Sequence, residues 1–156
     1  MSSEKFFSLN DLQQLQSMEG KILQEVIYFV WVNRINKNQP LVFIDKLQLK
    51  FSDQAIITLT AGEESDALHF LTDFDPVAEA VEMEERFNGE ISLKAHHANN
   101  DKFWSTVIQH PIRSVRLSKR NDEYLSDAFI LDFESESRLI GVSPEEGILI
   151  DFHEDV

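Results

Sequence analysis

The sequence predicts an α+β fold: two tandem helix–strand–β-meander units, an internal duplication, packed about a pseudo-twofold axis with a mostly antiparallel sheet. Two observations lead there. The phrases "FSDQAIITLTAGEESDALHF" (51–70) and "FESESRLIGVSPEEGILIDF" (133–152) overlie without a gap at a shift of 82 positions. The matches fall on apolar positions of period two, among them Leu47 with Phe129, Leu49 with Leu131 and Phe51 with Phe133. Period two marks half-buried strands, and self-similarity at fixed spacing marks repeated units. The expected organisation is a single domain over 1–156, with 1–70 as the first unit, 71–100 as an acidic insertion and 101–156 as the second unit.

Each element has its own signal. In "SLNDLQQLQSMEG", Ser8 can cap a helix, Leu9, Leu12, Leu15 and Met18 form its stripe, and Gly20 ends it. "VIYFVWV" (26–32) is apolar on both faces and reads as a buried strand, with Tyr28 and Trp31 in the core. Leu47, Leu49 and Phe51 alternate with Gln48 and Lys50 as a half-buried strand, and Phe129, Leu131 and Phe133 repeat the pattern. Short strands follow at 55–60 and 67–70, and again at 137–142 and 148–152, joined by turns rich in Gly, Pro, Ser and Asp. One such meander is too small to be stable alone, so the two bury their faces together.

The second unit is expected to carry its own helix in "NNDKFWSTVIQHP", capped by Asn100 or Asp101, striped by Phe103, Trp104 and Val107, and stopped by Pro111. Between the units, Asp75-Pro76 starts a helix with Val77, Ala80, Val81, Glu84 and Phe87 on one side and Gly89 as its stop. A strand over 91–95 follows. The competing reading of 76–95 is a hairpin turning at Asn88-Gly89.

Composition limits the chemistry. The chain has no cysteine, which removes disulfides, thiolate catalysis and Cys-based zinc sites. Its five glycines never cluster into a phosphate-binding loop, and no G-x-S-x-G elbow occurs, so no cofactor or catalytic residue is expected. His96-His97 is the one histidine cluster; adjacent strand residues face opposite ways, so no metal site is expected there. "DFD" (73–75) lacks the third acid and the glycine of a calcium loop, which leaves Asp75 as a helix cap. No run approaches a membrane span, and the N-terminal stretch lacks the apolar core of a signal peptide, so a cytoplasmic location is expected.

Twenty-eight acidic residues against fourteen basic ones give a net charge of −14. Such a field repels phosphate backbones and anionic lipid and attracts cations, so neither nucleic acid nor membrane is the expected partner. The basic patch "RSVRLSKR" (113–120) reads as positive charge guarding an edge strand. The function expected is therefore a non-enzymatic acidic interaction protein that binds a basic partner, in the manner of an inhibitor or immunity-type protein. Glu63, Glu64, Glu145 and Glu146, the matched pairs in the two turns, are the candidate contact residues. The alternative is a small-molecule-binding or catalytic domain with a pocket between the two units.

Overall fold

The computed structural model describes residues 5–33, 42–61 and 66–154. They form a mixed α/β fold of two helices and a curled, mostly antiparallel nine-stranded sheet. In chain order the elements are α1 (Leu9–Ser17), β1 (Leu23–Asn33), β2 (Val42–Phe51), β3 (Ile56–Thr60), β4 (His69–Leu71), α2 (Pro76–Arg86), β5 (Ile91–His97), β6 (Ser114–Arg120), β7 (Glu123–Asp132), β8 (Ser137–Ser143) and β9 (Gly147–His153).

Helix α1 starts as expected. The Ser8 hydroxyl accepts from the Asp11 N–H and the Asp11 carboxylate accepts from the Ser8 N–H, a reciprocal capping box. Its buried face is Leu15 and Met18, with Leu12 packed against them; Leu9, expected in that stripe, is 74% exposed.

Strand β1 explains why "VIYFVWV" is apolar on both sides. Val26 and Tyr28 enter the main core, while Ile27 and Phe29 form a second cluster with Met83 of α2 and Leu93 of β5. The sheet is therefore covered on two faces at β1, and alternating residues serve different cores.

Two meanders run through the sheet. β2, β3 and β4 pair antiparallel in sequence, and so do β7, β8 and β9. Phe51 and Phe133 are both buried, at 1% and 6% exposure, and Leu49 and Leu131 are fully buried. The registers differ. Leu49 faces Ile57, whereas Leu131 faces Arg138, one residue short of Leu139, the residue that matches Ile57. In the second hairpin Leu59 faces Phe70, whereas Gly141 faces Leu149, three residues short of Phe152. β1 extends the first meander antiparallel to β2, and β6 extends the second antiparallel to β7. The meanders touch where β9 runs parallel to β2 at Ile44 and Gly147, and the curl brings the Leu68 N–H to the Ser126 carbonyl at 2.7 Å.

The helix expected in the second unit is replaced by a run of turns over 101–110. The amides of Ser105 and Ile108 make helical bonds to Asp101 and Trp104, but Trp104, Val107 and His110 bond three residues back, and Gln109 has a left-handed φ of 71°. Thr106, Val107 and Ile108 are β-branched and Pro111 cuts the segment short, so few turns are available to repay nucleation. Side chains hold it instead: Trp104 and Val107 are buried, and the Trp104 indole donates to the Tyr28 hydroxyl.

Residues 76–86 are a helix and not a hairpin. Asp75 caps it by accepting from the amides of Val77 and Ala78. The face that packs inward differs from the expected one. Met83, with Ala80 and Phe87, meets the sheet, while Val77 and Val81 are 73% and 54% exposed. The expected stripe included Glu84, whose charge would have been buried without a partner; the observed stripe buries Met and Phe instead.

Among the described residues β6 has β7 as its only strand neighbour, which places the basic patch on a sheet edge. Arg116 is committed there: it pairs with Asp132, which also accepts from Ser114 and Ser137.

Candidate functional site

The site begins with a local irregularity in β2. Phe29 faces Lys46 and Val30 faces Ile44, so Asp45 is an extra residue between paired neighbours. Such a bulge re-aims side chains, letting two successive residues serve one place. Here the Asp45 carboxylate and the Lys46 ammonium bind each other, both more than nine-tenths buried.

The opposite edge of β2 forks at the same point. Lys46 pairs with Thr60 of β3, and the Thr60 hydroxyl and Ala61 amide both donate to the Asp45 carbonyl. One residue earlier, the Ile44 amide donates to the Glu146 carbonyl at 3.0 Å, where β9 begins. Two strands thus share one edge of β2 and must diverge.

A cleft of about 1240 Å³ includes residues of this fork, Asp45, Thr60 and Pro144, and is walled by α2. Its apolar surface includes Trp31, Phe43, Phe70, Phe74 and Met83. The Trp31 and Phe43 rings stack with centroids 4.9 Å apart and planes 25° apart. The Trp31 indole nitrogen is buried with no hydrogen-bond partner among the described residues.

The charges of the cleft are mostly negative: Asp45, Asp73, Asp75, Glu79 and Glu82 against Lys46 and Arg86. Lys46 is already neutralised. Its ammonium binds Asp45 and Glu79 together and lies 5.1 Å from the Phe74 ring centroid. Glu79, in the first turn of α2, is also favoured by the helix dipole. Asp75 is occupied as the helix cap. Asp73 and Glu82 are exposed and have no ion-pair partner among the described residues.

The candidate contact residues are placed unevenly. Glu145 and Glu146 are exposed in the β8–β9 turn, beside Pro144 of the cleft wall. Glu63 and Glu64 lie outside the described residues. Trp31, expected in the core, is half-buried and lines the cleft instead, while Phe43, Lys46, Phe74 and Glu79 were not singled out by sequence. One signal could have found them: Asp45 stands in phase with Leu47, Leu49 and Phe51, a carboxylate on the buried side of a strand.

The remaining polar clusters are structural. Arg138, 1% exposed, donates to the Phe103 and Ser137 carbonyls, Thr106 and Glu136, and lies over the Phe152 ring. Its donation holds the Glu136 carboxyl below the usual range despite partial burial. His96 meets Asp101 and His97 meets Glu25, each at 3.0 Å. Among the described residues no three His, Asp or Glu side chains gather to hold a metal ion, and no helix is long and apolar enough to cross a membrane.

No family model matches the chain, and neither a curated protein nor a solved structure does.

Proposed function

We propose that this chain is a non-catalytic interaction protein whose acidic surface binds a basic partner protein, as an inhibitor or immunity-type protein does. The observation that carries the reading is the charge state of the cleft. Its buried cation is internally paired, whereas Asp73 and Glu82 at its rim have no counter-ion among the described residues. The segment 71–100 around it holds seven acidic residues and two basic ones, and the whole chain carries −14. Acidic rims of this kind accelerate encounter with basic surfaces and fix their orientation. The Glu145-Glu146 turn extends the rim on the β9 side, and Glu63-Glu64 belong to the same reading as its matched pair.

A duplication, on our reading, would give the chain a composite surface. Both meanders have the same order of antiparallel pairings and bury Phe51 and Phe133 at corresponding places. We read 1–70 and 101–156 as two copies of one unit about a pseudo-twofold axis, the registers having drifted at the turns, with 71–100 inserted between them.

The test uses Trp31 as a reporter, since Trp104 is fully buried elsewhere. A basic peptide titrated against the protein should change the emission of Trp31, more weakly as salt rises, while an acidic peptide of equal length should not. Asp73→Lys with Glu82→Lys should abolish the response. A basic peptide that leaves the emission unchanged, or binds the double variant equally well, sinks the reading.

A second reading has its own support. The cleft is lined by residues of both proposed units, Pro144 of the second beside Asp45 and Thr60 of the first, and at about 1240 Å³ it has room for a small molecule. A thermal-shift panel of metabolites separates the two: a ligand at 100 times its Kd raises stability by roughly 2.7 kcal/mol.

A further inference from the structure

We propose that the cleft takes an arginine side chain, presented by an exposed segment of the basic partner, between the Trp31–Phe43 stack and the carboxylates of Asp73 and Glu82. This rests on the reading of the chain as a binder of basic proteins and names the group that anchors the contact.

The case begins with what the cleft already holds. A compact ammonium has its niche: Lys46 sits between Asp45 and Glu79 with the Phe74 ring 5.1 Å away. The rest of the cleft has a different shape. Trp31 and Phe43 form a parallel aromatic pair, and Asp73 and Glu82 stand exposed at the rim. A planar cation with several donors suits such a surface better than a point charge. Guanidinium stacks on rings, is more weakly hydrated than ammonium, and presents a rigid fork to carboxylate oxygens. Lysine would have to shed a tightly held water shell to touch the same rings.

The chain shows this mode elsewhere in its own fold. Arg138 lies with its guanidinium carbon 4.7 Å from the Phe152 centroid and a nitrogen 2.9 Å from Glu136. Ring and carboxylate together hold an arginine there, and the cleft offers the same two components to an outside arginine. A neutral apolar occupant fits less well, because it would leave the rim carboxylates desolvated and unpaired. An anionic one would meet five carboxylates against two cations.

The experiment compares three peptides of identical flanking sequence, basic throughout, that differ at one central position: arginine, lysine or citrulline. Binding to the full chain is read by Trp31 emission and, independently, by calorimetry. The arginine peptide should bind roughly tenfold tighter than the lysine peptide, since ring stacking and the fork are lost together. Citrulline keeps the shape without the charge and should also bind more weakly. Glu82→Gln, at an exposed position, should narrow the gap between arginine and lysine. Equal affinity for arginine and lysine, with binding still salt-sensitive, overturns the arginine anchor and leaves the basic-partner reading standing. No binding of any of the three overturns both.

Discussion

Tyr28 is a polar side chain inside the main core, and burial pushes its phenol up to about 12. The Trp104 indole, donating to its oxygen, opposes that rise, and the negative charge of Asp101 adds to it. An unfolded tyrosine ionises near pH 10, so between about pH 10 and 12 the folded chain keeps a proton that the unfolded chain has lost. The stabilisation is therefore complete below pH 10 and disappears as pH rises towards 12, by at most roughly 2–3 kcal/mol. Urea unfolding across this range should show stability falling with pH, and Tyr28→Phe should flatten the fall. An unchanged slope in that variant would place the phenol in water. Asp132 acts at the other end of the scale. Burial works to raise its pKa, but the hydrogen bonds from Arg116, Ser137 and Ser114 outweigh this and leave it below the usual range. Its contribution is present above the ordinary carboxylate range and fades as pH falls through the lowered value.

Among the elements, the junction of β2 and β9 depends on one glycine. Gly147 has φ +76°, and a Cβ there would lie 2.2 Å from the Ile44 carbonyl oxygen, so both the backbone conformation and the space require glycine. Gly147→Ala should cost roughly 2–4 kcal/mol, since left-handed strain and a backbone clash add. Chemical denaturation measures the cost, and a loss under about 0.5 kcal/mol would mean that the two strands do not meet there. Nothing in "SPEEG" announces this contact, because Ile44 lies about a hundred residues away. The same contrast explains which elements were legible. The helix starts at Ser8 and Asp75 and the alternating strands at Leu47–Phe51 and Phe129–Phe133 are local signals, and all of them appear. The inward face of α2, the turns over 101–110 and the bulge at Asp45 depend on partners far along the chain. The cleft was hidden for that reason, since it gathers residues from Trp31 to Pro144. Only the charged Asp45 in an apolar phase marked the place.

At the scale of the whole molecule, the charge of −14 should govern how fast a basic partner arrives more than how tightly it stays. Glu145 and Glu146 test this without touching the cleft floor. Both side chains are exposed in the β8–β9 turn, and the contacts there are made by backbone: the Glu145 amide donates to the Ser143 hydroxyl and the Glu146 carbonyl accepts from the Ile44 amide. Replacing both by Lys should therefore change stability by no more than about 0.5 kcal/mol each. Each exposed charge contributes roughly 1 kcal/mol at 4 Å in water, too little to dominate affinity. Their sum with the rim carboxylates still shapes the field that an approaching cation meets, and that field is screened within about 10 Å at 0.1 M salt. Stopped-flow association of the arginine peptide should be slower for Glu145→Lys with Glu146→Lys, and its rate should depend less on salt. The dissociation rate should hardly change, because the proposed anchor lies in the cleft and not in the turn. Adding Glu63→Lys and Glu64→Lys should deepen the loss if the matched turn contributes to the same field. If association keeps its rate and its salt dependence with all four reversed, these glutamates serve only as soluble turn residues, and the attraction comes from the α2 side alone.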